Sequence, residues 1–512
     1  MITVLDCLEN TTLKYADNII CKDVKKEITF ADFQQNAQAI GSFLCRYNVM
    51  RKPIAVFMDN TAEAWEAMLG VVYSGNFYVV IDALMPIERI KNIFNTLNPL
   101  AVIVDAKCAG QAAKLGMDID IYMYGEIVKT SVNAAKLNAV RRRMIDTDPI
   151  YALFTSGSTG TPKGTVLTHL SVIKYTQWYA ETFNITSKTI FGSQTPFYFS
   201  MSVSTMFSTI YTGAKLVVIP KQFFSFPVKL IEFMNNEMIN TIYWVPSAMN
   251  MIANFKALDN HALPYLKTVL FAGEAMPTKQ LNYWRQHLSK DVLYANLFGP
   301  TETTDIATYY IVNRDFNDDE PIPIGSACSN CDVFVLKNDG TLAGENEEGE
   351  LCVRGSFLAS GYYDNPEKTK EVFVQNPLNT HYPEIIYKTG DLVRYNDRGE
   401  LVYITRKDFQ IKHQGYRIEL GEIETAASSV KGVYECACIY DKIKQLIVLY
   451  CTGENLTSKE ILLGVRDKLP KYMMPNKIFV LESMPHNANG KIDKKLLQNT
   501  YQEKEKNGNI NI

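Results

Sequence analysis

What most constrains this chain's fold is the alternation of short apolar runs with helical patterns through its first three hundred residues. Residues 53–58 read as a buried strand, 61–74 as a helix, 76–81 as a second strand and 100–104 as a third. The same cadence returns at 189–191, 215–219, 241–245, 268–271 and 292–296. Strand, helix, strand in regular succession builds layered sheets with helices on their faces, so an α/β architecture is expected. After residue 320 the texture changes. Residues 331–337, 349–354 and 400–404 are short strands separated by Gly-containing turns, which predicts hairpins or a small β-barrel-like part. From Asp408 charge and polarity rise, a helix is expected over 419–429, and strand, helix and strand to about residue 480 fit a small α+β domain. A chain of 512 residues exceeds one ordinary core. The expected organisation is a large N-terminal domain, 1–407, with layered α/β sheets, followed by a small C-terminal domain, 408–512.

Composition removes several function classes. The net charge of −3 gives no sign of a surface that wraps nucleic acid. No basic segment followed by an apolar one opens the chain, and no apolar stretch approaches the ~20 residues needed to span a bilayer. Neither nucleic acid nor membrane is therefore an expected partner, and a cytoplasmic location is expected. Ten cysteines in so long a chain make no disulfide framework. Cys328 and Cys331, like Cys436 and Cys438, lack the second pair or nearby histidines of a zinc site and read as free thiols.

The densest chemical signal lies between residues 153 and 164. Glycines at 157, 160 and 164 permit tight turns that expose backbone amides. Hydroxyls at 155, 156, 158 and 159 can donate hydrogen bonds, and Lys163 adds a positive charge. The spacing is not that of a Walker loop, because Lys163 stands between Pro162 and Gly164 with no hydroxyl directly after it. A polyphosphate is the expected ligand, with a Ser/Gly-rich turn as the bland alternative.

Three further clusters extend that reading. In Asn296-Leu-Phe-Gly-Pro-Thr-Glu302, Phe298 can cover a planar ring, Thr301 can bond a phosphate and Glu302 can offer Mg²⁺ the oxygen ligand it prefers. A helix start capped by Thr301 explains the same residues. In Tyr387-Lys-Thr-Gly-Asp391 and Tyr403-Ile-Thr-Arg406, Asp391 can accept two ribose hydroxyls and Arg406 can hold phosphate or ribose oxygens. A turn cap and a surface charge are the alternatives there. Taken together, rings, ribose, phosphates and metal describe ATP. Finally, Lys491 follows a flexible glycine in Asn489-Gly-Lys-Ile-Asp493, as either a solvated or a catalytic lysine.

These residues collectively resemble the adenylate-forming superfamily of acyl-CoA synthetases, luciferases and peptide-synthetase adenylation domains. The likeness runs from the strand at 53 to Lys491 and also includes Thr155-Ser-Gly-Ser-Thr-Gly-Thr-Pro-Lys-Gly164, Phe271-Ala-Gly-Glu-Ala275 and Gly415-Tyr-Arg-Ile-Glu-Leu-Gly-Glu422. The last pattern is closest to stand-alone amino-acid adenylation domains and D-alanine:carrier-protein ligases. The resemblance implies that Thr155, Ser156, Gly157, Ser158, Thr159, Gly160 and Lys163 close over the β- and γ-phosphates of ATP. It places Gly273, Glu274, Ala275, Asn296 and Phe298 around adenine, Asp391 on the ribose, Arg406 near the ribose and phosphate, and Tyr403 among the nucleotide-binding residues. Thr301 would contact the α-phosphate and Glu302 would hold Mg²⁺. Lys491 would bridge the attacking carboxylate and the α-phosphate, with Thr301 and Glu302 completing the catalytic set. Asp408 would be the hinge of a mobile C-terminal domain. Thr405 and Phe298 replace the family's commoner glycine and tyrosine, departures that leave the chemistry feasible. No Ser/His/Asp triad is required, and His169 and His413 read as structural or surface residues.

The implied reaction is activation of a carboxylic acid to acyl-AMP with release of pyrophosphate, then transfer to the phosphopantetheine thiol of a carrier protein, with coenzyme A as the other acceptor. Its substrate pocket would be Ser200, Met201, Ser204, Tyr243, Leu270, Ala272, Leu297, Asp305 and Ile306. The family usually places an aspartate at the position of Ser200, on an α-ammonium; serine cannot neutralise that charge. Asp305 either greets a cation or hydroxyl deeper in the substrate or is solvated on a helix after Glu302. Three substrates stay open: an aryl or other acid without an α-amine, an amino acid whose ammonium is displaced toward Asp305, and an ordinary α-amino acid. The rival of another class is an inactive scaffold that binds nucleotide or a carrier protein.

Overall fold

A computed structural model describes residues 2–157, 162–454, 456–486 and 492–506. The chain divides into two compact units. The first comprises residues 1–83, 97–154 and 164–407, and the second comprises 84–96, 155–163 and 408–512.

The expected α/β cadence forms two sheets in the first unit. Pro53–Phe57, Phe77–Ile81 and Ala101–Val104 are strands, and the helix Ala62–Tyr73 lies between the first two. Every residue of these three strands is buried, as expected of parallel strands covered on both faces. They sit in a seven-stranded sheet that also contains Pro149–Thr155 and, next to it, Lys163–Thr168. The second sheet has nine strands. Its interior runs parallel through Leu293–Phe298, Thr268–Phe271, Thr241–Trp244, Ile190–Ser193 and Lys215–Val218, with antiparallel strands at both edges. Two helices bear directly on the candidate pocket. Thr168 starts His169–Thr182 by accepting the amide of Ser171, and Met201–Thr212 begins directly after Ser200.

The change of texture after residue 320 is a five-stranded antiparallel sheet built on the long strand Ile385–Tyr395. Register shifts between Glu350 and Cys352 and between Leu392 and Val393 curl it into a half-barrel. Phe298, Ile324, Val335, Leu351, Val393 and Leu401 form one buried hydrophobic cluster with it.

In the second unit, Gln410–His413 and Tyr416–Glu419 form a hairpin whose turn residues, Gln414 and Gly415, both have positive φ, which matches the twist of the flanking strands. The helix Leu420–Ser428 follows directly. Val433–Asp441, Leu446–Gly453 and Lys477–Val480 make a three-stranded sheet, and its cluster includes Ile418, Ile423, Leu449, Ile461 and Val465. Arg89, from the early segment that clusters with this unit, forms a buried ion pair with Glu422. The described cysteines are all free thiols, and no helix among the described residues is long and apolar enough to cross a membrane.

Candidate active site

The loop singled out by its glycines and hydroxyls joins two neighbouring strands, ending one at Thr155 and opening the next at Lys163. Ser158, Thr159 and Gly160 lie outside the described residues, as does Lys491. At the loop's entry the Thr155 hydroxyl is buried without a hydrogen-bond partner among the described residues. Such an orphaned donor is costly unless a ligand meets it, and a phosphate oxygen suits it. Ser156 is engaged within its own unit: its hydroxyl donates to the Arg417 carbonyl at 2.7 Å and accepts the Glu419 amide at 3.2 Å. Gly157 and Lys163 are buried. Gly164 has no room for a side chain, since a Cβ there would lie 2.8 Å from the Phe154 ring.

The other candidate nucleotide residues belong to the first unit. Phe271 pairs with Asn296 in register, and the chain leaves its strand through Gly273 at positive φ. Glu274 then accepts the Ser247 amide at 2.9 Å, while Ala275 is exposed. Asn296 is fixed by donating to the Pro323 carbonyl at 2.8 Å. The Phe298 ring lies 5.8 Å from that of Tyr403, an exposed residue on the half-barrel. Asp391 and Arg406 are register partners and form an ion pair at 2.8 Å, so neither the turn-cap nor the surface-charge alternative describes them. Asp408, in the second unit, is exposed and accepts the Gln410 amide at 3.2 Å.

Residues 299–305 carry the densest chemistry. A Cβ on Gly299 would lie 2.5 Å from the Ile306 Cα, so the chain doubles back tightly there. Thr301 opens one turn of 3₁₀ helix, Thr301–Thr303, whose N-cap is Pro300, so its side chain does not serve as the cap. Glu302 is completely buried, and the Tyr362 hydroxyl donates to it at 2.7 Å. A carboxylate held this way has the hard-oxygen chemistry that Mg²⁺ prefers. Thr304 then takes φ +68°, unusual for a β-branched residue, and its hydroxyl donates to the Phe357 carbonyl at 2.9 Å. That reversal turns Asp305 inward.

Asp305 is buried, and the solvated alternative is thereby overturned. Its Oδ2 accepts the hydroxyls of Ser204 at 2.7 Å and Tyr243 at 2.9 Å, with the Tyr175 hydroxyl 3.2 Å away and Ser200 close by. Burial pushes the carboxyl above its usual range, and the four hydroxyls pull against that shift. Burial also raises the Tyr175 and Tyr243 phenols, so both remain donors at neutral pH. Leu270 is the register partner of Tyr243, and Met201, Ala272, Leu297 and Ile306 are buried apolar neighbours in sequence of these elements. Tyr175 and Tyr362 escaped the sequence reading. Neither lies in a local motif; their partners are 130 and 60 residues away. His169 is a structural residue whose Nδ1 accepts the Val4 amide at 3.3 Å.

Comparison with known proteins identifies the family. The AMP-binding enzyme profile matches residues 8–363, and that of the AMP-binding enzyme C-terminal domain matches 422–491. A D-alanine–D-alanyl carrier protein ligase of Bacillus anthracis is 30% identical over 511 residues, spanning 96% of this chain and 98% of that enzyme. Zwittermicin A synthase ZmaJ of Bacillus cereus is 28% identical over 499 residues, spanning 96% of this chain and 93% of that protein. The adenylation domain AlmE of Vibrio cholerae, solved in complex with glycyl-adenosine-5'-phosphate, shares the fold with a TM-score of 0.84 at 21% identity over 98% of each chain. With both profiles matched in order along one chain, this protein belongs to the AMP-binding enzyme family.

Proposed function

We propose that this enzyme activates a carboxylic acid with ATP, giving acyl-AMP and pyrophosphate, and then passes the acyl group to the phosphopantetheine thiol of a carrier protein, releasing AMP. It is an AMP-forming ligase. The observation that carries the reading is the stretch from Thr301 to Asp305, in which a buried threonine, a buried glutamate and a buried aspartate follow one another within five residues, a set that suits a phosphate, a metal ion and the acid. The names of the relatives support the carrier-protein acceptor, since a D-alanyl carrier protein ligase spans nearly the whole chain.

The protein's part in such chemistry is positioning and charge neutralisation rather than general base catalysis, because a carboxylate is already a nucleophile at neutral pH. Glu302, oriented by Tyr362, would hold Mg²⁺, whose contribution when bound is to neutralise phosphate charge. Thr301 would contact the α-phosphate, and Thr155, Ser156, Gly157 and Lys163, with Ser158, Thr159 and Gly160, would hold the β- and γ-phosphates. Gly273, Glu274, Ala275, Asn296 and Phe298 would receive the adenine, and Asp391, Tyr403 and Arg406 the ribose. Lys491 would steady the attacking carboxylate and the α-phosphate. We also propose that the chain divides functionally at 407/408, with Asp408 as the hinge.

The test is acid-dependent exchange of pyrophosphate into ATP, measured with the enzyme and with Lys491→Ala. Exchange should depend on one class of acid and fall by roughly a hundredfold or more in the variant, while ATP binding by calorimetry survives. Absence of exchange with every acid in a broad panel would refute the activity, and equal exchange by both proteins would remove Lys491 from the mechanism. Loading of a phosphopantetheinylated carrier protein against coenzyme A then identifies the acceptor.

A further inference from the structure

Several buried carboxylates meet basic side chains, Glu66 with Lys26, Asp391 with Arg406 and Glu422 with Arg89, and others, such as Asp23 and Asp105, accept backbone amides. Asp305 does not follow that pattern. Its partners are the hydroxyls of Ser204, Tyr175 and Tyr243, and no lysine, arginine or histidine among the described residues forms an ion pair with it.

Neutral hydroxyls orient and stabilise an anion, but they do not cancel its charge. The Tyr175 and Ser204 oxygens lie 2.7 Å apart and have one proton each, so with Tyr175 donating to Ser204, it is Ser204 and Tyr243 that donate to Asp305. An ionised carboxylate then keeps acceptor capacity that these hydroxyls do not fill. Nearby polarity also lacks partners: among the described residues the hydroxyls of Tyr151 and Tyr179, both wholly buried, make no hydrogen bond, and both lie within the electrostatic reach of Asp305. A charged carboxylate and two unpartnered hydroxyls in one buried cluster call for a cation that also donates hydrogen bonds. An ammonium has three such donors.

The depth of the cluster says where on the ligand that ammonium lies. Ser200 is half-buried at the start of the helix Met201–Thr212, whereas Ser204, one turn further in, is completely buried. Asp305 bonds the deeper Ser204, and Tyr175 and Tyr243 close over it with almost no exposure. One helical turn is about 5.4 Å, several covalent bonds along an aliphatic chain. An amine on the α-carbon stays beside the reacting carboxyl; one further along the molecule reaches the floor.

We propose that the activated acid is an amino acid whose amine lies beyond its α-carbon, and that Asp305 receives that ammonium at the floor of the pocket. This rests on the acid activation proposed above and names its substrate class. Asp305 is a specificity-determining residue, with Ser204, Tyr175 and Tyr243 holding its carboxylate in place.

The test uses pyrophosphate exchange with sets of acids matched in carbon skeleton: unsubstituted, with a 2-amino group, and with an amine at a more distant carbon. The enzyme, Asp305→Asn and Ser200→Asp are compared, each checked for folding by thermal melting with ATP. In the enzyme, the distant-amine acid should exceed its matched partners by roughly tenfold or more, and Asp305→Asn should abolish that preference. Ser200→Asp, which adds a carboxylate nearer the rim, should shift preference toward the 2-amino isomer. The proposal is overturned if the best acid lacks a distant amine, or if the preference survives in Asp305→Asn. Should Asp305→Asn not fold, Ser204→Ala, which removes one donor to the carboxylate, replaces it: the preference must fall severalfold, and an unchanged preference overturns the proposal. Exchange with no acid at all refutes the activity itself and this assignment with it.

Discussion

Asp391 and Arg406 face each other as register partners on adjacent strands of the half-barrel, joined by an ion pair of 2.8 Å that leaves both side chains nearly out of water. Removing one member of such a pair strands the other charge. Arg406→Ala should therefore lower unfolding stability by about 3–5 kcal/mol, and Arg406→Lys by less, because it keeps the charge while losing the planar fork. Urea unfolding of the three proteins measures both effects.

The hydrogen bond from Tyr362 to Glu302 makes a separable prediction. Tyr362→Phe keeps the ring in place and deletes only the hydroxyl. The loss should cost about 1 kcal/mol of orientation, seen as a several-fold rise in the Mg²⁺ concentration giving half-maximal exchange. A change in maximal rate with no change in the Mg²⁺ requirement would show that this hydroxyl does not position the metal ligand.

His169 ties the stability of the first unit to pH. Burial holds its imidazole down at about 3, against an ordinary value near 6.5. Below pH 6.5 the unfolded chain takes up a proton that the folded one refuses, so stability present at neutral pH drains away as the pH falls toward about 3. The contribution is on the order of 4 kcal/mol across that window. His169→Asn can still accept the Val4 amide but does not titrate, so the difference between the two unfolding free energies, followed from pH 7 to pH 4, should shrink steadily.

Gly299 supports the turn from which Glu302 and Asp305 both project. Alanine there would press against the backbone of Ile306 and Ala307, which cannot yield as a side chain can. Gly299→Ala should cost about 1–3 kcal/mol in thermal unfolding and impair metal dependence and acid preference together. Impairment of one without the other would indicate that the two carboxylates do not share this support.

Much of this architecture was legible in the sequence because its chemistry is local. The strands at 53–57 and 77–81 and the helix between them follow from uninterrupted apolar runs and their periods. The paired roles of Tyr175 and Tyr362 were not legible, since each meets its carboxylate only after the chain has folded across 130 or 60 residues. Asp305 was ambiguous for a different reason. Three residues after a glutamate, it fitted an exposed helix face; the backbone instead reverses at Thr304, and a β-branched threonine gives no sequence sign of positive φ. The grouping of residues 84–96 and 155–163 with the C-terminal unit is likewise tertiary, because a contiguous boundary is all that composition can suggest.

The hydroxyls around Asp305 come from separate pieces of scaffold: one from the helix His169–Thr182, two from the start of the helix Met201–Thr212, and one from the strand Thr241–Trp244. For anyone wishing to retarget the enzyme, this is a modular lock. Each hydroxyl can be exchanged singly, by Tyr to Phe or Ser to Ala, to grade the strength of the anionic anchor while the carboxylate stays where Thr304 aims it. Ligand preference is thus tunable in small steps from elements that carry none of the proposed metal-binding groups.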